Sequence, residues 1–190
     1  MSVWSSLTGP FCEITVGSGD AAVVFSLPKA LLCNSSTYFK AAFNNGFSET
    51  SLQKINLDDD DPHIFRTYAT WLFEREIANE AISNNSEAFC YELYIFADKR
   101  GIRGLANDSV TMIASYWTDT CVDFSLTKKY LPQLPSKSGL YNLVLDNMIL
   151  NMRGWASDNF WNDTGFEEYS KEILVDLLKR ESIYERDFSA

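Results

Sequence analysis

His63 is the only histidine of the chain, and it follows the run Asp58-Asp59-Asp60-Asp61-Pro62. A metal site or an acid–base pair is the chemistry such a cluster suggests. A calcium loop of the EF-hand type needs Gly at its sixth position and a bidentate Glu at its twelfth. Counted from Asp58, those positions hold His63 and Ala69, so that ligand set fails. The same residues suit a helix start, with a late aspartate as N-cap, Pro62 at the first helical position, and carboxylates at the positive end of the helix dipole. A Cys–His nucleophile would need His63 beside Cys33 or another thiol, and nothing in the spacing brings one there. Cys12, Cys33, Cys90 and Cys121 are scattered with no CxxC pair, so they read as small core hydrophobes rather than zinc ligands. Gly17-Ser18-Gly19 lacks the third glycine of a phosphate loop and reads as a hairpin turn. Asn34, Asn84, Asn107 and Asn162 open glycosylation-type triplets. Without a secretory signal in Met1 to Pro10 they count as chance matches, and Asn34 suits a helix cap. No catalysis, metal or cofactor is expected.

The elements that would position these groups follow from local signals. Phe11 to Val16 alternates as a strand with Ile14 and Val16 on one face, and the Gly17–Asp20 turn returns the chain into Ala22 to Phe25. Pro28 stops that strand and lets a short helix begin at Lys29. Asn34, Ser35 and Ser36 are cap types that open a second helix carrying Tyr38, Phe39, Ala42 and Phe43, closed by Asn44-Asn45-Gly46. Leu52 to Leu57 reads as a third strand. Ile64, Phe65, Tyr68, Trp71 and Leu72 form the stripe of a helix from Pro62 to about Phe73. Further helices are expected from Glu87 to Lys99, ended by Gly101, and from Ile102 to Trp117. Asp119 to Ser138 carries Pro132, Pro135, Ser136 and Ser138 and reads as a connector. Tyr141 to Met152 and Phe166 to Leu178 give two more helices. The last should be laced by the pairs Glu167–Lys171 and Asp176–Arg180, and its tail from Glu185 should fray. The expected core takes in Phe25, Leu31, Leu32, Tyr38, Phe39, Ile55, Leu57, Phe65, Trp71, Phe89, Leu93, Phe96 and Ile113.

The chain has 190 residues, 46% of them hydrophobic and 14% aromatic, with a net charge of −10. That composition argues against disorder. The acidity argues against nucleic acid as a partner, because a negative surface repels phosphates. No apolar run reaches the length of a membrane span, so no membrane partner is expected. A cytoplasmic or nuclear protein with reduced thiols is the expectation.

Several of these stretches together resemble a BTB/POZ domain: Phe25 to Phe39, Phe47-Ser48-Glu49, Ile55 to Asp58, and Phe65 followed by Trp71-Leu72-Phe73. Their order and spacing are most similar to the stand-alone type abundant in filamentous fungi. The resemblance implies an α+β fold in which a small β-sheet caps a cluster of short helices. It implies a domain over 11–117 and a C-terminal helical extension over 118–184. Where the family usually has a His before the Lys, this chain has Leu27-Pro28 before Lys29, close to the region through which the family forms homodimers. In members that dock a cullin scaffold, a bulky apolar residue, any residue and then an acid stand where Phe47-Ser48-Glu49 stands here. Phe73 matches an aromatic position on the same surface of the family. The helices from Tyr141 to Arg180 resemble an extension that adds a groove for the cullin's N-terminal arm. The resemblance thus implies a non-enzymatic protein–protein interaction module that binds protein partners, with homodimerisation through Phe11 to Val16 and Pro28 to Phe43. Its sharper form is an adaptor for a cullin-based ubiquitin ligase, with Phe47, Glu49 and Phe73 as the protein-binding residues. The alternative is a dimerising transcription or chromatin scaffold without cullin binding.

Overall fold

The structure, a computed structural model, describes residues 9–44, 52–77, 86–154 and 165–188. It is mixed α+β, a three-stranded sheet with eight α-helices among the described residues. The chain divides into two units, Met1–Ser109 and Val110–Ala190.

In the first unit β1 (Phe11–Val16) lies between β2 (Val23–Pro28) and β3 (Lys54–Leu57), antiparallel to β2 and parallel to β3. Side chains alternate across a strand, so the register places Cys12 opposite Leu27, and Ile14 opposite both Phe25 and Ile55, on the inward face. Cys12, Ile14 and Val16 are fully buried. Pro28 ends β2 as expected, and α1 (Lys29–Ser35) starts at the next residue. The Ser36 hydroxyl caps α2 (Thr37–Asn44) by accepting from the Phe39 N–H at 3.1 Å, and it donates to the Arg100 carbonyl at 2.6 Å. Asp61 caps α3 (Pro62–Glu74) by accepting the His63 N–H at 2.6 Å. Then come α4 (Ser86–Lys99) and α5 (Arg103–Tyr116), which carries the chain into the second unit.

Gly101 turns the chain between α4 and α5 at φ +62, in the left-handed region that favours glycine. A Cβ there would collide with the Thr37 hydroxyl, so any other residue must push that side chain aside.

The core of this unit is aromatic. Phe39 stacks on Tyr68 at 6.0 Å and meets Phe65 edge-on at 6.4 Å, while Phe65 meets Phe96 at 6.0 Å. Burying each such ring contributes about 1.5–3 kcal/mol, and favourable ring geometry adds about 0.5–1.5 kcal/mol. Two expected core residues, Phe25 and Tyr38, are only half-buried. Phe25 sits on the edge strand; its ring covers Phe65 at 4.7 Å, but among the described residues no strand lies on its outer flank. Tyr38 precedes Phe39 by one helical step of about 100°, so it cannot share its inward direction. Instead its ring takes the Arg100 guanidinium over its face at 4.3 Å.

The aspartate run also does more than favour a helix dipole. Asp60 is folded inward, its side chain 6% exposed, and accepts from Arg100 Nε at 3.0 Å and from Arg100 Nη2. Lys99 reaches the other oxygen at 3.1 Å. This joins the turn before α3 to the end of α4.

In the second unit the expected connector holds α6 (Phe124–Tyr130) and a 3-10 turn, Leu131–Gln133. The Asp123 carboxylate caps α6, accepting from the N–H groups of Ser125 at 2.7 Å and Leu126 at 3.3 Å. Pro132 sits at the start of the 3-10 turn, where it lacks only a donor that would go unused. α7 (Gly139–Gly154) buries Val144, Leu145, Met148 and Ile149. The last helix, α8 (Lys171–Phe188), starts later than expected because Phe166–Glu168 forms a separate 3-10 turn and Ser170 caps the helix. Its backbone stays helical through Phe188 rather than fraying at Glu185.

Both expected ion pairs of α8 give way to others. Glu167 lies outside the helix, and it is Glu168 that meets Lys128, at 3.1 Å. Arg180 forks across to α7, with its Nε on Asp146 Oδ1 and its Nη2 on Asp146 Oδ2 at 2.7 Å, while its Nη1 reaches Asn142 Oδ1 at 2.9 Å. A planar fork on one carboxylate is a stronger arrangement than a single-turn surface pair. Asp176 is left to Lys179 and to the Tyr141 hydroxyl, which donates to it at 3.1 Å.

Candidate functional site

Asp61 and Pro62 fix where α3 begins. In its last turn Trp71 and Leu72 are buried, while Phe73 is 42% exposed. The Trp71 indole N–H donates to Asp108 Oδ2 at 2.7 Å, which holds the ring in place. Arg75 ends the helix in the left-handed region, φ 59, and lays its guanidinium over the Trp71 ring at 4.8 Å. A non-glycine residue there costs about 1–2 kcal/mol, which the ring contact and the Arg75 N–H bond to the Trp71 carbonyl at 2.9 Å offset. Gly104 passes close by; a Cβ on it would come within 2.8 Å of the indole.

Beside this indole opens a cleft of about 550 Å³. One wall comes from the end of α1 and the start of α2, including Ser35, Thr37 and Lys40; the other comes from Arg75, Gly101, Arg103 and Gly104. Lys40, Arg75 and Arg103 are exposed.

Of the three residues singled out for partner binding, Phe73 lies on the surface at the end of α3. Phe47 and Glu49 fall outside the described residues, as does most of the Asn44-Asn45-Gly46 cap. The cleft and its three cations were not singled out in the sequence. Lys40, Arg75 and Arg103 are far apart along the chain, and only the fold brings them around one indole.

His63 is exposed, with its ring 5.5 Å from Phe89. Burial pushes the Cys12 thiol up to about 11 and Cys90 up to about 12; Cys33 is also raised, again mainly by burial. A thiol held that high is not a nucleophile at neutral pH. Among the described residues no three His, Cys, Asp or Glu side chains form a metal-binding group, and no helix is long and apolar enough to cross a membrane.

Residues 5–94 match the BTB/POZ domain family. Among solved structures the chain is similar to the BTB domain of zebrafish PATZ1, at 21% identity over 57% of this chain and 80% of that one, with a TM-score of 0.40. No curated protein matches.

Proposed function

We propose that the BTB/POZ domain carried by residues 5–94 makes this chain a protein–protein adaptor that brings partners to a cullin-based ubiquitin ligase. BTB/POZ domains are in general interaction modules rather than enzymes. The observation that carries the cullin reading is Phe73, a large aromatic left 42% exposed beside two buried neighbours. An apolar anchor of that kind is what an interface centre uses, with a carboxylate at its edge to fix orientation. Phe47 and Glu49 supply the rest of the proposed contact. The module is taken as 11–117 and the helical extension as 118–184. A small cleft of about 180 Å³ between α7 and α8, lined in part by Tyr141, Leu145 and Ile183, supports a role for the extension in holding an extended arm.

The same domain is proposed to form a homodimer through β1 and the first two helices, working in the cytoplasm or nucleus. Phe11 and Val24, 50% and 63% exposed on the outward side of the sheet, support it. Leu27 and Pro28, both buried, stand before Lys29 where the family usually has a His. Light scattering at high micromolar concentration should give twice the monomer mass; a monomer would remove the dimer. Affinity purification from the native host, read by mass spectrometry, should recover a cullin. Recovery of chromatin or transcription proteins with no cullin would replace the adaptor with the scaffold.

A further inference from the structure

The cleft beside Trp71 has an electrostatic character unlike the rest of the chain. The chain carries a net charge of −10, yet three cations, Lys40, Arg75 and Arg103, stand around this one opening. Among the described residues that line it there is no Asp or Glu, and none of the three cations pairs with a carboxylate of a described residue. Cations gathered around one opening repel one another, and an anionic occupant offsets that repulsion.

The cleft is also furnished for more than a point charge. Trp71 lies behind the opening, 4% exposed, its indole fixed by the Asp108 hydrogen bond and covered by the Arg75 guanidinium. The Thr37 hydroxyl and the Asn34 amide supply neutral donors at the other wall. At about 550 Å³ it is within the roughly 300–1,000 Å³ of ligand-binding clefts.

We propose that this cleft docks an acidic peptide segment of a partner protein, with glutamate or aspartate carboxylates on the three cations. A long polyphosphate is the poorer fit, because beyond the cleft the chain's net negative charge repels it. This proposal does not rest on the cullin reading: it uses other residues and would stand if no cullin were bound.

The test uses the full chain and a short fluorescein-labelled peptide of alternating Glu and Leu, followed by anisotropy at low and raised salt. Binding should appear at low salt, weaken as salt screens it, and be absent for the peptide with Gln in place of Glu. The combined Lys40→Ala, Arg75→Ala and Arg103→Ala variant should bind at least about tenfold more weakly. Arg66→Ala, which removes an exposed charge outside the cleft, should bind as the wild type does. In ¹⁵N spectra the Trp71 indole and the Gly101 and Gly104 amides should shift on addition of the Glu peptide. Should the combined variant fail to fold, Lys40→Ala and Arg103→Ala singly should each weaken binding severalfold. Equal binding by the folded variants, equal binding of the Gln peptide, or stronger binding of single-stranded oligothymidine would overturn the proposal.

Discussion

Trp71, Leu72 and Phe73 are consecutive, and one helix sends them to different places. At about 100° per residue, a helix cannot turn three neighbours to the same side. Trp71 and Leu72 are 4% and 2% exposed, Phe73 is 42% exposed. Truncating Phe73 should therefore leave stability within about 0.5 kcal/mol of the wild type. Phe39 is the opposite case, fully buried among Tyr68, Phe65 and Phe43. Phe39→Ala should cost about 3–5 kcal/mol, read as a lower denaturation midpoint in urea. An unchanged midpoint would contradict the aromatic core. The Asp60–Arg100 pair gives a second contrast. Arg100→Ala leaves a carboxylate buried with only the exposed Lys99 to meet it, and should cost about 3–5 kcal/mol. Lys99→Ala should cost under about 1 kcal/mol, since that side chain is 49% exposed. Equal losses from the two would mean that Arg100 is not the principal partner of Asp60.

At the scale of elements, α6 depends on its cap. Burial works to raise the Asp123 pKa, but the Ser125 hydroxyl and the N–H groups of Ser125 and Leu126 together more than offset this, so the carboxyl is held below its ordinary value. A depressed carboxyl stabilises the fold fully above its unfolded pKa of about 3.9, and that contribution is lost as pH falls through the lower folded value. Asp123→Ala should cost about 0.5–2 kcal/mol at neutral pH, and the gap from wild type should close in acid. A gap that stays constant down to that range would show that the carboxylate is not the cap.

Asp123 also marks where sequence reading stops. Strong local punctuation was legible: β1 spans Phe11 to Val16 as expected, Pro28 ends β2, Asp61-Pro62 opens α3, and Gly101 separates α4 from α5. In 119–138 the prolines and serines are so frequent that they hide a seven-residue helix whose only clear sign is its capping aspartate. What depends on distant partners was not legible. Arg180 has Asp176 one turn away, yet it takes Asp146, which no sequence spacing reveals. The inward turn of Asp60 and the three cations beside Trp71 are of the same kind. At the surface, Phe73 could be read as aromatic and helical, but its exposure depends on which face of α3 the rest of the fold covers.

For the whole molecule, these features point to a surface built for partners. Burial disfavours the thiolate at Cys12, Cys33 and Cys90, and His63 is a first-turn residue of α3 whose backbone N–H is bound by the Asp61 cap. The exposed aromatic of α3 and the cationic cleft beside it in sequence offer two distinct kinds of contact, one apolar and one charged. The most direct test is a calorimetric titration of the purified chain with the N-terminal region of its host's cullin, repeated with Phe47→Ala, Glu49→Ala and Phe73→Ala, each also measured for melting temperature. An interface anchor contributes about 2 kcal/mol or more, so the two phenylalanine variants should bind roughly thirtyfold more weakly while melting nearly as the wild type does. Glu49→Ala should weaken binding partially and in a salt-dependent way. No binding by the wild type, or binding that survives loss of both phenylalanines, would contradict the adaptor account.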